Sequence, residues 1–287
     1  MHLIDEQRAN EIYDGMGPSI EMSGGSAANT MAGIAALTGR GHYIGKVHDD
    51  QLGKVFAHDL RAVGVDYTTP PTSTGAATGC CLILVTPDAQ RTMNTYLGAS
   101  VQLDPSDVDP EIIGSARLLY LEGYLFDPPA AKAAFWRAAA DAHERNTVVT
   151  LTLSDPFCVD RHRGDFREFV AGAVDVLFAN ESELCSLYEV NSLDEAISAV
   201  RADCALAAIT CGVDGSLVVC GDDLVKVGIE AVEAVADTTG AGDLYASGFL
   251  FGLARGLSLE TCGRLGAICA AEVISHLGAR PQADLAE

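Results

Sequence analysis

An α/β fold, with a mostly parallel doubly wound sheet and helices on both faces, follows from three features of the sequence. Short β-rich apolar runs alternate with helical patterns through the second half of the chain. Glycine turns separate several of these runs from the helices that follow them. The chain is 287 residues long, 48% hydrophobic and 20% charged, with 29 glycines, which suits one globular domain with a sizeable core. No repeat, linker or low-complexity tract divides it, so residues 1–287 are expected to form a single domain with a small β-flap.

The elements can be placed in order. A polar helix is predicted over residues 5–13, and no buried strand precedes it. After Gly15 and Pro18, an extended piece at 19–22 leads into Gly24-Gly25-Ser26-Ala27-Ala28-Asn29-Thr30 and a small-residue helix over 27–37. Residues 43–47 read as a strand. Residues 50–63 read as a helix, because Leu52, Val55, Phe56, Leu60 and Val63 recur at helical spacing. The β-rich runs 78–85 and 91–97 flank Thr86-Pro87-Asp88-Ala89-Gln90, a turn-like stretch, and predict a hairpin. It interrupts the alternation and is expected to project as a lid, together with residues 19–23. Strands follow at 118–121, 147–153, 174–178 and 206–210. Helices lie between them at 129–145 (started by Pro128 and Pro129), 163–171, 181–188 and 193–201. A hairpin, 216–220 with 224–227, and an extended run to Ala236 precede two closing helices, 244–255 and 259–276.

Composition excludes several functions. A net charge of −22 argues against a broad basic face for nucleic acid. No apolar run is long enough to span a bilayer, and no basic segment with an apolar stretch reads as a secretory signal. Nine cysteines, odd in number and without a Cys-x-x-Cys pair, read as reduced thiols of a cytoplasmic protein. No His-Glu-x-x-His spacing suggests zinc. Gly-x-x-x-x-Gly-Lys-Ser/Thr is absent, so the chain is not a P-loop protein. Without Gly-x-Ser-x-Gly, an esterase reading is weak.

Three polar clusters remain. Asp237-Thr238-Thr239-Gly240-Ala241-Gly242-Asp243 joins an extended run to a helix. Free N–H groups and the positive end of a helix dipole make such a turn an anion site, and Asp243 sits beside it. The same residues also suit a helix start with small residues for close packing. Asn180 and Glu183 follow a strand. Next to a phosphate they could orient Mg²⁺ and its waters, and they equally fit an N-cap with a capping-box glutamate. Gly24 and Gly25, followed by Asn29, allow a polyhydroxyl ligand to approach bare backbone, or serve turn geometry and packing alone. Thr210-Cys211-Gly212 is a third turn after a buried strand. Arg91 in the hairpin is within reach of a phosphate or ribose, or simply solvated.

In this order the clusters resemble the ribokinase/PfkB family of carbohydrate and nucleoside kinases. Gly24 to Asn29 looks like the family's first signature, Asp237 to Asp243 like its second, and Asn180-Glu-Ser-Glu183 like its Asn-x-x-Glu element. Within the family, Leu151-Thr-Leu-Ser-Asp-Pro-Phe157, Val174 to Glu181 and Arg91 are most similar to adenosine kinases of bacterial type. The resemblance implies a ribokinase-like fold and transfer of a phosphoryl group from ATP, with Mg²⁺, to a primary hydroxyl, adenosine to AMP being the foremost expectation. It implies that Asp243 is the base and that Gly240, Ala241 and Gly242 form the anion hole. Gly24, Gly25, Asn29 and Arg91 would contact substrate, and Asn180, Glu183, Thr210 and Gly212 the nucleotide side. Asp237 and Thr239 would help hold K⁺. Phe157, Tyr96 and Tyr124 are the candidates for a base slot.

Members of this family open with a buried strand carrying a glycine and a sugar-binding aspartate. The sequence begins after that place, so a missing strand and one missing substrate ligand are expected. The alternatives are a ribokinase- or fructokinase-like sugar kinase, or an inactive relative lacking its first strand. A homodimer through the lid is a further expectation, since an open sheet offers an edge.

Overall fold

Most helices begin where a short polar side chain reaches back to a free backbone N–H. Asp50 accepts from Gly53 N, Asn180 from Glu183 N, Ser192 from Glu195 N and Ser258 from Thr261 N. Three α-helices break this rule. One begins at Pro129, after Pro128. The other two, beginning at Ser26 and Ala241, follow Gly25 and Gly240 and likewise carry no side-chain cap. Their first-turn N–H groups are left for another partner, and these two helices frame the site described below.

The computed structural model describes residues 1–86 and 91–286. In chain order the elements are β1 (His2–Leu3), α1 (Glu6–Gly15), α2 (Ser26–Ala36), β2 (His42–Tyr43), α3 (Gln51–Ala62), β3 (Asp66–Tyr67), β4 (Thr78–Val85) and β5 (Arg91–Gly98). Then come α4 (Pro110–Ser115), β6 (Leu118–Glu122), α5 (Pro129–Glu144), β7 (Val148–Thr152), α6 (Pro156–Ala173), β8 (Val176–Asn180), α7 (Glu181–Tyr188), α8 (Leu193–Asp203) and β9 (Leu206–Thr210). The chain closes with β10 (Ser216–Cys220), β11 (Asp223–Val227), α9 (Ala241–Ala254) and α10 (Leu259–Ile274).

The main sheet runs β11-β10-β9-β8-β7-β6. Strands β6 to β9 are parallel, and β10 and β11 are antiparallel at one edge. Helices cover both faces, as the sequence predicts. On one side Phe126, Phe135, Phe166 and Phe169 from α5, α6 and the turn after β6 pack with Leu151 and Leu177. Phe126 stacks on Phe166 with ring centroids 3.9 Å apart. On the other side Tyr245, Phe249 and Leu250 of α9 pack with Phe178 and Ala208. In-register pairs align Glu122 with Thr152 and Asn180 with Thr210 at the carboxyl ends of the strands. That is where an open α/β sheet presents polar groups to ligands.

A second sheet has the order β1-β5-β4. β4 and β5 pair antiparallel, as expected; Pro87 to Gln90 of the anticipated turn lie outside the described residues. Among the described residues no buried strand precedes the first helix; the short, exposed β1 pairs parallel with β5 and stands outside the main sheet. Residues 19–23, expected to be extended, join no ladder. The strand expected at 43–47 shrinks to β2, a two-residue partner of β3. Among the described residues nothing supplies its remaining N–H and C=O groups with a ladder. α6 starts at Pro156, earlier than expected, because Asp155 caps it through Phe157 N. Among the described residues no helix is long and apolar enough to cross a membrane.

α9 and α10 approach closely because glycines face each other. A Cβ on Gly248 would lie 2.3 Å from Leu265 O, and one on Gly266 2.8 Å from Tyr245 O. Gly248→Ala should therefore force the pair apart and lower the unfolding free energy by about 1–3 kcal/mol. Urea denaturation reads this; an unchanged midpoint would show that the crossing has slack.

Candidate active site

The helix without a cap at the C-terminal side, α9, begins at a turn only glycine suits. Gly240 has φ 82°, and a Cβ there would meet Ala279 O at 2.8 Å. Ala241 N donates to Thr238 O over 3.3 Å, and Leu244 N to Gly240 O over 2.8 Å. Asp243 lies in the first turn, at the positive end of the helix dipole. The second uncapped helix, α2, begins after Gly25, which has φ 90°. Its residues reach across to the first: Ser26 Oγ donates to Asp243 Oδ1 at 2.7 Å, and Asn29 Nδ2 to Asp243 Oδ2 at 2.9 Å. Burial pushes the Asp243 carboxyl up to about 6, while the bonds from Asn29 and Ser26 and the charge of Arg91 act in the opposite direction. Asn29 Oδ1 is buried without a partner. It is an acceptor beside Asp243 that a ligand hydroxyl could satisfy.

A cavity of about 2350 Å³ joins the other clusters to this pair. Asn180 and Glu183 line it and form the capping box: Asn180 N donates to Glu183 Oε2 at 2.9 Å, Asn180 Nδ2 to Oε1 at 2.6 Å, and Glu183 N to Asn180 Oδ1 at 2.8 Å. Burial raises the Glu183 carboxyl to about 7 against the bond from Asn180 N. Thr210 lines the cavity; Gly212, exposed with φ 57°, is not among the lining residues. Arg91 crosses from β5, and its Nη1 donates to Thr238 Oγ1. The exposed arginine therefore reaches the turn that precedes α9.

Asp237 is buried, and its Oδ1 accepts from Thr239 N at 2.9 Å and Thr239 Oγ1 at 2.6 Å. Its Oδ2 accepts from Gly278 N at 3.3 Å. Among the described residues no cation pairs with it. A buried carboxylate in that condition is a chemically fitting neighbour for a monovalent cation. Of the three aromatics, Tyr96 and Tyr124 line the cavity and Phe157, largely exposed, does not.

Sequence reasoning missed Ser26 and a third carboxylate. Glu122 ends β6 inside the cavity, where its Oε1 accepts from Ser154 Oγ at 2.7 Å and Tyr124 N at 2.8 Å. Burial raises it to about 7, partly offset by those bonds, and the nearby Asp243 charge pushes the same way as burial. Ser154 holds φ 72°, a conformation rare outside glycine, on a carbonyl-side turn next to this acid. A lone glutamate closing the apolar run Leu118-Leu-Tyr-Leu121 at a strand's carboxyl end was the available signal.

Residues 20–285 match the pfkB family of carbohydrate kinases. Adenosine kinase from Sinorhizobium meliloti superposes with a TM-score of 0.97 at 50% identity, over 99% of this chain and 88% of that one. A probable sugar kinase from Rhizobium etli gives the same TM-score at 47% identity, over 100% and 87%. Among curated proteins, 5-dehydro-2-deoxygluconokinase from Geobacillus thermodenitrificans is 27% identical over 287 residues, 95% of this chain and 85% of that one. Family match, fold and the meeting of both glycine turns agree: the chain belongs to the pfkB family of carbohydrate kinases, phosphotransferases that act on an alcohol group.

Proposed function

We propose that the chain phosphorylates the primary hydroxyl of a nucleoside, adenosine foremost, at the expense of ATP. The observation that carries this reading is Asp243. Its carboxylate lies in the open first turn of α9, and Ser26 and Asn29 of the other glycine turn hold it. A base is thereby fixed between a place for an alcohol and a place for an anion. Likeness to the S. meliloti adenosine kinase supports adenosine as the acceptor. A second reading, a free-sugar or sugar-acid kinase, draws on the R. etli and Geobacillus relatives.

In the proposed reaction Asp243 takes the proton of the acceptor hydroxyl as that oxygen bonds to the γ-phosphorus. The bond to the β-phosphate oxygen breaks, and ADP leaves. Amides of Gly240, Ala241 and Gly242 stabilise the charge on the transferring group, with Arg91 beside them at Thr238. Gly24 and Gly25 admit the sugar to bare backbone. Asn29 Oδ1 and Glu122 accept from its hydroxyls, and Tyr96 and Tyr124 wall the site. Thr210 and Gly212 flank the nucleotide side. Residues 19–23 with strands β4 and β5 act as a lid that keeps water from competing as acceptor.

Kinases of this family use ATP with Mg²⁺. Each Glu183 oxygen already accepts one bond from Asn180, which leaves a lone pair for a metal-bound water and suits contact through water rather than direct ligation. Bound there, Mg²⁺ would supply charge neutralisation on the phosphates. Asp237 and Thr239 are the corresponding residues for K⁺.

Asp243→Asn should lower kcat by roughly a hundredfold to ten-thousandfold with ATP affinity nearly intact; near-normal turnover would refute the assignment of the base. Because the carboxylate form is the active one, kcat/KM should rise with pH through a midpoint near 6 and then level off. Ser26→Ala removes a bond that lowers the carboxyl's pKa, so its midpoint should move to higher pH; a shift to lower pH contradicts the geometry. A panel of adenosine, inosine, ribose, fructose and 5-dehydro-2-deoxygluconate with ATP and Mg²⁺ should give its highest kcat/KM with adenosine. Preference for the sugar acid or a free sugar would favour the second reading.

A further inference from the structure

The glycine turn at Gly24 is held from two sides. On one side Asp59, near the end of α3, accepts from Ser23 Oγ at 2.5 Å. On the other, Arg280 Nη2 donates to Gly24 O at 3.3 Å, from the loop that follows α10. Asp59 attracts the Arg280 guanidinium, and half-buried Tyr43 lies close to it as well. Arg280 Nε is buried with no partner. Burying a guanidinium is costly unless something specific is gained from its planar donors. Here the gain is fixing one carbonyl at the edge of the cavity. Gly24 and Gly25 have no side chains of their own to lock the turn.

The same loop also holds the anion turn. Gly278 N donates to Asp237 Oδ2, and Ala279 packs so tightly on Gly240 that no Cβ fits between them. Three successive residues of one loop thus touch both glycine turns, Gly278 and Ala279 on the Asp243 side and Arg280 on the Gly24 side. We propose that Arg280 is a positioning residue: through Gly24 O it sets the acceptor turn at a fixed distance from the anion turn, so that the alcohol bound at one is delivered to Asp243 at the other. This rests on the reading of Gly24, Gly25 and Asn29 as the acceptor cradle. It predicts a specific kinetic signature, because a displaced cradle weakens the acceptor and leaves the nucleotide side as it is.

Arg280→Lys keeps the charge and the aliphatic stem but loses the planar fork. The expected result, measured with adenosine and with ribose against ATP, is a KM for the acceptor raised roughly tenfold, with the KM for ATP within twofold of the parent. The thermal midpoint should stay within a few degrees. Equal losses toward acceptor and ATP, or no loss toward either, overturn the proposal. Asn29→Ala is the control for the underlying reading: an unchanged acceptor KM there means the cradle is elsewhere. A raised acceptor KM in Asn29→Ala with a normal one in Arg280→Lys defeats the positioning role alone. Should Arg280→Lys not fold, Asp59→Asn carries the test from the more exposed side of the pair; a severalfold rise in acceptor KM supports the proposal, and an unchanged value overturns it.

Discussion

Everything in the site depends on how closely α2 and α9 can pack. Ser26 and Asp243 are 217 residues apart in the chain, yet share a 2.7 Å hydrogen bond. That approach is possible because Gly33 faces α9: a Cβ there would lie 2.4 Å from Ser247 Oγ and 2.6 Å from Leu244 Cδ1. Ser247 Oγ is within reach of both Thr30 O, at 2.8 Å, and Asp243 O, at 2.9 Å, so its hydroxyl ties the helices at the level of the carboxylate. The small-residue sequence of α2, with Ala28, Ala32 and Gly33 all buried, therefore sets the approach of its first turn to Asp243 and not only the core. A bulkier helix would carry Ser26 and Asn29 away from that carboxylate.

That packing creates an electrostatic problem. Asp243, Glu122 and Glu183 share one cavity, and burial raises all three, to about 6, 7 and 7. The Asp243 charge adds to the effect of burial on Glu122, the Asp155 charge does the same for Glu183, and a chain of net charge −22 repels any polyphosphate. The groups that oppose this are local: amides at the start of α9, Arg91 at Thr238, and whatever cation accompanies the phosphates. Affinity for an anion here would have to come from oriented dipoles and an accompanying cation rather than from the protein's overall field.

The order of strands and helices in the second half was legible in the sequence because each unit carries its own periodicity and its own cap. The two glycine turns and Asp243 stood out less clearly: each also suits a plain helix start, and only their order along the chain, resembling a known family, set them apart. Glu122, Ser26 and Arg280 did not stand out. Glu122 becomes informative only when β6 is known to end in the cavity. Ser26 looks like any small residue at a helix start. Arg280 lies in a C-terminal loop, 256 residues from the carbonyl it holds. Their roles exist in tertiary distances, which no window of sequence contains. Asn180 and Glu183 show the opposite ambiguity: both readings of them describe the same geometry, since the capping bonds that start α7 also fix the carboxylate that faces the cavity.

The shortened strand at 43–47 follows from the same limit. Its residues have the character of an interior strand, and the cavity is bounded by them on one side and by β6 on the other. Among the described residues β6 has a ladder only with β7, so its second edge faces the cavity, as does the stretch after β2. Two strand edges that face an opening rather than each other explain why the cavity exceeds the roughly 300–1,000 Å³ of an ordinary small-molecule pocket. They also determine where rigidity must come from. With no ladder joining the Gly24 side of the molecule to the main sheet at this level, the relative placement of the two turns falls to helix packing at Gly33 and to the loop carrying Gly278, Ala279 and Arg280. The loop acts at the turns themselves, through Gly24 O and the close contact of Ala279 with Gly240, while the helix contact at Gly33 acts further along α2 through Leu244 and Ser247 of α9.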